Sequence, residues 1–547
     1  MKKLVIAATA AGLGLTGLGA AGTASAAPQA PGGTTAGLQW HTCADDIIAS
    51  VKPYDALSSV KVSDVIRCAE LQVPLDYSRP NGTKITLQLT LTPHTGSAPA
   101  KGNLVVNPGG PGGQGAPFGA RVFAQNSPAM KAAYNVIGFD PRGVGFSKPA
   151  LTCDPNQSNA PRPDYDHGSA KSVKIWLKRS KQYAAACAAN DKIGLLKHIK
   201  TTDSARDLDS IRAALGDKKL DYYGASYGTY LGSVYATLFP KRVGLMALDG
   251  NVGPSGVWYD ANLSQDVAFD KNMDYYFGWL ARYDSVYHLG KTQKAVRSWF
   301  YALRAKLAKK PAYATFDGAQ YAVGPDELTD VIQNAAYRRS QALWNGYGVG
   351  LQAYKAGDLD TFVGTFGAQV TGGADDNSWA MYLGVQCTDV KWPTNWSKWQ
   401  RDNDRIDAKH PFLTWGNAWF NAPCIYWPAK AGKPVKIGAT RALPKNILMF
   451  QSTDDAATPY AGAKELHKIL RGSRFIVQDG DRTHCIVHRG SSAVDAYFDA
   501  YFLTGKRPKA DTVHLPQLGD PTPPPPATLK AKSLQATGGA PVNDVIK

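Results

Sequence analysis

One serine of this 547-residue chain lies in a short motif that is typical of a catalytic nucleophile. Ser226 lies in Gly224-Ala225-Ser226-Tyr227-Gly228, a G-x-S-x-G sequence between a strand-like run and a helix-like run. This context predicts a sharp strand-to-helix turn that exposes the serine hydroxyl, with glycines allowing close approach on both sides. A plain strand–helix turn is the structural alternative.

An acid that could orient a catalytic base follows a later strand-like run, Ile447-Leu448-Met449-Phe450. Two aspartates compete for this role. Asp455 is preferred because a D-x-x-T-P sequence starts from it, and Asp454 is the alternative acid or a cap of the turn.

A candidate base follows the next strand-like run, Phe475-Ile476-Val477. His484 is favoured by this position over His467 and His488, although an isolated histidine is more often a surface or core residue. The chain order serine, aspartate, histidine is that of α/β-hydrolases. In such a triad the neutral histidine takes the serine proton and the aspartate holds the histidine tautomer.

An oxyanion hole would need two backbone N–H groups aimed at the developing charge. One donor is predicted to be the backbone N–H of Tyr227, the residue directly after the nucleophile. The loop Asn107-Pro108-Gly109-Gly110-Pro111-Gly112-Gly113 predicts the other, from Gly109 or Gly110. A phosphate cradle is a weak alternative because the loop lacks a Lys-Ser/Thr ending.

The elements that must position these residues alternate between short apolar strands and helices, which predicts a mostly parallel sheet covered on both faces. The alternation stops after about Gly256 and returns near Ile447. The fold class is therefore predicted as an α/β-hydrolase core with a large, mainly helical cap insertion. The predicted organisation is a signal peptide (1–26), a leader (27–37), the first part of the core (38–256), the helical cap (257–430), the second part of the core (431–510) and a Pro-rich tail (511–547).

The first residues predict secretion. Lys2 and Lys3 precede an apolar stretch, and Ala24-Ser25-Ala26 is a small-residue cleavage site, so a cleaved signal peptide is favoured over a membrane anchor. No later apolar stretch is long enough to span a membrane. The net charge is +17, but the basic residues are spread along the chain, which predicts a solvated exterior and no nucleic-acid partner.

Seven cysteines are compatible with an oxidising compartment. Pairing of neighbours predicts three disulfides, although sequence alone leaves other connectivities open: Cys43–Cys68, Cys153–Cys187 and Cys387–Cys424. Cys485 is left over, directly after the candidate base. No cysteine or histidine spacing indicates a metal site, and no cofactor is expected.

A series of further motifs extends from about Trp40 to Gly505. They are Cys68-Ala69-Glu70, Val73-Pro74-Leu75-Asp76-Tyr77, Asp140-Pro141-Arg142-Gly143-Val144-Gly145, Ala205-Arg206-Asp207-Leu208-Asp209, Leu248-Asp249-Gly250, Cys387-Thr388-Asp389, Lys391-Trp392-Pro393 and the segment from Trp415 to Trp427. Together with the triad sequences, they resemble the secreted actinobacterial tripeptidyl aminopeptidases, relatives of the prolyl aminopeptidases. The resemblance implies an exopeptidase that cuts tripeptides from free N-termini with Ser226, Asp455 and His484.

This chain departs from the family where Cys485 replaces a glycine, where Gln114 replaces a small serine, and in lacking an extra C-terminal cysteine pair. An aminopeptidase must also bind a charged amino group, and Asp389 is the predicted anchor; the alternative is that Asp389 is an ordinary exposed loop residue. The partners expected are peptides with a free N-terminus, and a monomer is expected. Rival functions are an esterase, a mono- or dipeptidyl aminopeptidase, a non-catalytic binding protein and a wall- or DNA-associated protein.

Overall fold

The computed structural model describes residues 37–166, 168–371, 376–440 and 442–523. The predicted signal peptide and nearly all of the predicted leader therefore lie outside the described residues. No helix in these ranges is both long enough and apolar enough to cross a membrane.

The described residues form strands that belong to one large sheet and one small sheet. The strands are β1 His41–Thr42, β2 Arg67–Pro74, β3 Lys84–Thr92, β4 Gly102–Asn107, β5 Tyr134–Phe139, β6 Leu220–Ala225, β7 Val243–Asp249, β8 Ala312–Phe316, β9 Ala319–Val323, β10 Ala368–Gln369, β11 Ile447–Ser452, β12 Arg474–Gln478 and β13 Thr512–Leu515.

Helices cover both sheets. The α-helices are α1 Asp45–Val51, α2 Val62–Val65, α3 Gly115–Gln125, α4 Pro128–Ala133, α5 Ala170–Asn190, α6 Thr201–Ala214, α7 Tyr227–Leu238, α8 Tyr259–Arg282, α9 Asp284–Tyr287, α10 Gln293–Lys309, α11 Pro325–Ile332, α12 Asn334–Tyr337, α13 Gln341–Ala356, α14 Leu359–Phe366, α15 Asn377–Asp389, α16 Trp396–Asp407, α17 Thr414–Asn421, α18 Tyr460–Ile469 and α19 Ser492–Thr504. Short 3₁₀ helices span Lys52–Leu57, Pro155–Ser158, Leu195–Lys197, Pro240–Arg242 and Ala422–Tyr426.

The large sheet has ten strands in the order β1-β2-β3-β5-β4-β6-β7-β11-β12-β13. The pairs from β1 to β5 are antiparallel, and every pair from β5 to β13 is parallel. Strand β11 is buried at all six positions, as expected for a parallel strand covered on both faces. The mostly parallel sheet and its strand order confirm the predicted α/β-hydrolase core.

Side chains that alternate along β4 show how the two faces of the sheet are filled. Val105 packs in the core cluster that contains Leu208 of α6 and Leu231 of α7. Leu104 packs on the opposite face, in the cluster that contains Phe118 of α3. Burial on both faces fixes the strand ends, and so the loops that carry the polar residues of the candidate site.

The chain between β7 and β11 forms the cap. It contains helices α8 to α17, as the aromatic-rich sequence predicts, and it has its own hydrophobic core, which includes Trp279 and Trp344. It also contains a three-stranded antiparallel sheet, β10-β9-β8, which was not predicted. The hairpin β8–β9 turns at Asp317 and Gly318, both with positive φ (48° and 78°).

The structure differs from the predicted tail (511–547) over residues 511–523, and residues 524–547 lie outside the described residues. Strand β13 pairs with β12 in parallel and completes the large sheet. The chain then packs on the cap, where the Pro521 carbonyl accepts a hydrogen bond from Trp279 (2.8 Å) and the Asp520 carboxylate accepts one from Tyr275 (2.7 Å). The second part of the core therefore extends past residue 510, and the residues that follow join core and cap.

The three predicted disulfides are present: Cys43–Cys68, Cys153–Cys187 and Cys387–Cys424. Cys485 is a free, buried thiol.

A buried ion pair explains several of the sequence motifs. Arg142 and Asp207 are each 1% exposed, and Arg142 Nε lies 2.6 Å from Asp207 Oδ2. Arg142 also donates to the carbonyls of Leu75 (3.0 Å) and His198 (2.6 Å), and Tyr77 donates to Asp207 (2.8 Å). Since these residues join the end of β2, the loop after β5 and helix α6, their motifs stabilise the core rather than contact substrate.

Candidate active site

Ser226 occupies the turn between β6 and α7. Its φ is 57° and its ψ is −126°, a conformation that non-glycine residues rarely adopt and that is found at functional turns. Its N–H donates to the Asp249 carbonyl (2.8 Å), and its carbonyl accepts from the Thr229 N–H (2.8 Å). These bonds hold the serine at the carboxyl end of the sheet, as predicted for a nucleophile elbow.

The two glycines of the elbow are required by close approach. A Cβ on Gly224 would lie 2.4 Å from the Gly228 carbonyl oxygen, and a Cβ on Gly228 would lie 2.8 Å from the Asn107 carbonyl oxygen. Both separations are shorter than any ordinary contact, so a larger residue would displace Ser226.

Asp455 follows β11, and both of its carboxylate oxygens accept hydrogen bonds from neighbouring groups. Oδ1 accepts from the N–H groups of Ala457 and Thr458 (both 2.9 Å), and Oδ2 accepts from Gln451 Nε2 (3.0 Å) and Thr458 Oγ1 (2.9 Å). The remaining partner is His484, whose Nδ1 lies 2.8 Å from Oδ2 and 3.0 Å from Oδ1. The D-x-x-T-P sequence therefore forms the turn that holds this carboxylate.

Asp454 is not brought to the histidine. Its side chain is 43% exposed and pairs with Arg482 at 3.4 Å. The structure thus brings together Asp455 and His484 out of the two aspartates and three histidines that the sequence offers.

His484 follows β12 and is 7% exposed. Its backbone N–H donates to the Tyr337 carbonyl (2.8 Å), and its ring meets the Tyr337 ring edge-on at 5.9 Å. Burial alone would lower the pKa of His484, but the charge of Asp455 outweighs burial and raises this pKa above the usual 6.5. With the proton on Nδ1 facing Asp455, Nε2 is left to accept a proton.

The glycine loop after β4 contains Gly109 and Gly110, the two candidates for the second oxyanion donor, and its hydrogen bonds distinguish between them. The Gly109 N–H donates to Asn107 Oδ1 (3.0 Å), so it is already occupied. A Cβ on Gly109 would lie 2.8 Å from Tyr227 N and 2.8 Å from Ser226 Cβ, which shows how closely the loop touches the elbow. Gly110 and Tyr227 line the same cavity as Ser226. The arrangement therefore favours Gly110 and Tyr227 as the pair of N–H donors.

Asp249, at the end of β7, is a positioning residue that the sequence analysis did not assign. Its carbonyl accepts from Ser226 N–H, and its carboxylate accepts from the N–H groups of Ile486 (2.8 Å) and Val487 (3.0 Å) and from Tyr223 (3.1 Å). Burial raises its pKa to about 6. It joins the nucleophile turn to the histidine loop, and the Leu-Asp-Gly motif at a strand end was the signal for it.

Cys485 also belongs to this junction. Its φ is 59°, a value that favours glycine, and its thiol donates to the Asp249 carbonyl (Sγ to O, 3.2 Å). Burial raises the pKa of the Cys485 thiol, which keeps it protonated and unreactive at neutral pH.

Ser226, Tyr227, Gly110 and His484 open into a cavity of about 280 Å³ beneath the cap. Core and cap both contribute to its wall. Most of the lining is apolar or aromatic, with Trp379 and Trp419 from the cap and Trp176 from α5. The aromatic residues therefore serve partly as cap core and partly as cavity wall.

The structure does not bring Asp389 to this cavity. Its Oδ1 accepts from the Thr201 N–H (2.7 Å), and its Oδ2 accepts from Thr201 Oγ1 (2.6 Å) and Trp258 Nε1 (3.2 Å). The Thr201 hydroxyl also lies 2.7 Å from the Tyr227 hydroxyl. Burial raises the Asp389 pKa to about 6. Asp389 thus supports the packing around Tyr227, and its side-chain oxygens are already occupied.

Two other carboxylates of the described residues do line the cavity, Asp330 and Asp376. Asp376 is occupied by Tyr183 (2.5 Å) and by the Cys153 and Asp154 N–H groups. Asp330, on α11, accepts from Arg162 (2.7 Å) and Tyr165 (3.0 Å) through Oδ2. Asp330 is one of three acidic residues on α11, and no local sequence pattern distinguished it from the other two.

Comparisons with known proteins agree with this geometry. A family model described as TAP-like protein matches residues 410–514, a range that includes Asp455 and His484. The Streptomyces lividans protein named tripeptidyl aminopeptidase is 40% identical over 510 residues, which cover 91% of this chain and 89% of that protein.

The chain belongs to the tripeptidyl aminopeptidase family. It is also 33% identical to the Mycobacterium tuberculosis protein named serine protease Hip1, covering 82% of this chain and 87% of that protein. A further M. tuberculosis relative, named carboxylesterase B, is 32% identical and covers 88% of this chain and 91% of its own length. The chain is therefore a serine peptidase of this family.

Proposed function

We propose that this protein is a secreted serine exopeptidase that releases tripeptides from the free N-termini of peptides. The observation that carries the proposal is the buried Asp455–His484 pair and the strained Ser226 elbow, which open into one cavity under the cap. The identity of 40% to a tripeptidyl aminopeptidase supports the choice of substrate.

The chemistry is acyl transfer to Ser226. His484 Nε2 takes the hydroxyl proton as Ser226 Oγ attacks the scissile carbonyl, and the N–H groups of Tyr227 and Gly110 bind the oxyanion. The tetrahedral intermediate collapses, the C–N bond breaks, and His484 gives its proton to the leaving amine. Water then attacks the acyl-enzyme with His484 as base, which frees the tripeptide carboxylate and restores Ser226.

An exopeptidase must bind the α-ammonium of its substrate, and Asp330 is the carboxylate placed for this. Its side chain is 12% exposed and lies on the cavity wall. Two carboxylates on α11, Glu327 and Asp330, pair with one guanidinium, Arg162, so one negative charge is left over when both are ionised. Asp326 Oδ2 is buried without a hydrogen-bond partner among the described residues. A substrate ammonium would balance this excess.

The spacing between residues along α11 and α12 suits a substrate segment of three residues. Asp330 precedes Tyr337 by seven residues, and Gln333 between the helices keeps a right-handed helical backbone (φ −55°, ψ −22°). A helical rise of 1.5 Å per residue separates Asp330 from Tyr337, the neighbour of His484, by about 10 Å. Three extended residues also span about 10 Å. This spacing, about the length of a tripeptide, supports Asp330 as the ammonium anchor in the proposal.

Secretion is part of the proposal. It is supported by the sequence signal at residues 1–26 and by three disulfides in the described residues.

The test is release of a chromophore from a free-amino Ala-Pro-Ala arylamide, beside its N-acetylated form and a single-residue arylamide. Cleavage confined to the free-amino tripeptide is expected. Asp330→Asn should lower kcat/KM for that substrate by about 10- to 100-fold, since a hydrogen bond to a charged group contributes about 1.5–3 kcal/mol. Asp274→Asn, at a cap carboxylate that is 39% exposed and outside the cavity wall, is the control and should retain the free-amino preference.

A relative named carboxylesterase B makes an esterase the second candidate. If the acetylated peptide or a simple ester turns over as well as the free-amino tripeptide, the exopeptidase proposal fails and only a serine hydrolase remains.

A further inference from the structure

Besides the carboxylates described above, the cavity wall carries a group of basic side chains. Arg121 projects from α3, Arg338 directly follows α12, and Arg489 lies five residues after His484. All three line the cavity that contains Ser226 and His484. Three guanidinium groups around a peptide-sized cavity form a strongly positive wall, which we call the arginine wall.

Arg489 shows that this wall has spare capacity to bind. Its Nε is buried and has no hydrogen-bond partner among the described residues. The nearby carboxylates are committed elsewhere: Asp455 to His484 (2.8 Å), Asp249 to the Ile486 and Val487 N–H groups (2.8 and 3.0 Å), and Asp495 to the His488 N–H (2.7 Å). A buried donor without a partner indicates a missing acceptor.

The arginines also repel one another. Burial and the charges of Arg489 and Arg121 lower the pKa of Arg338 to about 9. Burial and the charge of Arg489 lower the pKa of Arg121 to about 10. Both remain charged at neutral pH. His488 adds no charge, because burial and the same arginines lower its pKa to about 3. The three arginines are partly buried, and perturbed pKa values in a cleft are frequent at functional sites; a bound anion would relieve this repulsion.

The position of the wall relative to the triad sets which part of a peptide it faces. The Tyr337 carbonyl accepts from the His484 N–H (2.8 Å), so Arg338 starts beside the catalytic histidine. Asp330 lies about 10 Å back along the same segment. A peptide whose amino group is held at Asp330 therefore reaches the arginines at or beyond its scissile bond. This step rests on the proposed function.

We propose that Arg121, Arg338 and Arg489 form a subsite for a carboxylate on the departing part of the peptide. Guanidinium groups bind carboxylates through paired N–H donors, and they suit this role better than a point charge. The carboxylate has two possible sources. One is the C-terminal α-carboxylate of a tetrapeptide, and the other is an acidic side chain directly after the scissile bond.

The experiment compares matched peptides with the wild-type protein, and release of Ala-Pro-Ala is followed by chromatography. Ala-Pro-Ala-Ala as the free acid is paired with its C-terminal amide, and Ala-Pro-Ala-Asp-Ala amide is paired with its Asn counterpart. At least one charged member is expected to be cleaved with a kcat/KM about tenfold or more above that of its neutral partner. Whichever pair shows the preference identifies the source of the carboxylate.

Arg489→Gln should reduce that acid-to-neutral ratio to near one, and Arg489→Lys should keep part of it. Arg282→Gln, a cap arginine that is 55% exposed and outside the cavity wall, is the control and should keep the full ratio. The ratio is internal to each variant, so a general loss of stability does not change it.

Equal cleavage within both wild-type pairs would overturn the arginine subsite, and this result needs no variant. A full ratio retained by Arg489→Gln would overturn the role of Arg489. Failure of the wild-type protein to cleave the neutral free-amino arylamide would instead overturn the proposed function, so the two failures are distinguishable.

Discussion

Replacing Asp455 by asparagine changes one atom of the triad and leaves its shape. The aspartate accepts from Ala457, Thr458, Gln451 and His484, and it is 2% exposed. Asparagine keeps one acceptor oxygen but presents an N–H₂ group where the carboxylate accepted bonds. His484 is then no longer held with its proton on Nδ1, and Nε2 is no longer fixed as the proton acceptor. Loss of this orientation lowers kcat about 10⁴-fold in a comparable triad, so a loss of this order is expected.

The pH dependence gives a second, independent readout of the same change. The charge of Asp455 raises the His484 pKa above 6.5, and imidazolium cannot accept the serine proton. Activity of the wild-type protein should therefore fall as pH falls through a value above 6.5. In Asp455→Asn the raising charge is gone while burial, which lowers the pKa, remains. The acid limb should move to lower pH in the variant.

The assay is kcat/KM for the free-amino tripeptidyl arylamide between about pH 5 and pH 9, with the unfolding midpoint measured for each protein. Asp454→Asn is the matched control, since its neighbouring carboxylate is 43% exposed and does not contact His484. Retention of more than a tenth of the activity by Asp455→Asn, or an acid limb at the same pH in both proteins, would refute the assigned role.

Three other changes test separate parts of the structure. Gly109→Ala places a Cβ 2.8 Å from Ser226 Cβ and should lower kcat by about 100-fold or more with the fold retained by circular dichroism, whereas normal turnover would contradict the close approach. Iodoacetamide at pH 7 should leave activity intact because Cys485 is 7% exposed and its thiol pKa is raised, so rapid inactivation with a mass increase at Cys485 would disprove its burial. Asp207→Asn leaves Arg142 buried without its counter-charge and should lower the free energy of unfolding by about 3–5 kcal/mol in urea titration, and an unchanged midpoint would exclude the structural role of this pair.

The triad was predictable because its signals are local. Ser226 and His484 each follow an apolar strand, and the turn sequence around Asp455 supplies its own hydrogen-bond donors at Ala457 and Thr458. The choice between Gly109 and Gly110 was not local, because it depends on where the Asn107 side chain points.

The cap residues were less accessible to sequence reasoning. Asp389 was chosen beside a motif cysteine, but its burial against Thr201 is a tertiary contact between segments 188 residues apart. Asp330 faces the cavity because of its packing against Arg162 and Tyr165, which no periodicity reveals. The β8–β9 hairpin did carry a signal, since Asp317-Gly318 is a turn pair that favours a hairpin with both φ values positive.

In the proposed function, one short cap segment relates the length of the substrate to the catalytic residues. The α11–α12 segment carries Asp330 on the cavity wall, and its last residue, Tyr337, bonds to the His484 backbone. In the proposed function, the separation between Asp330 and the triad therefore depends on the length of this segment, which a backbone hydrogen bond fixes at one end. Because the core triad is common to many hydrolases, substrate length must come from such added segments. Proteins that have the same triad but a longer or shorter counterpart of the α11–α12 segment are then expected to differ in the length of the peptide released.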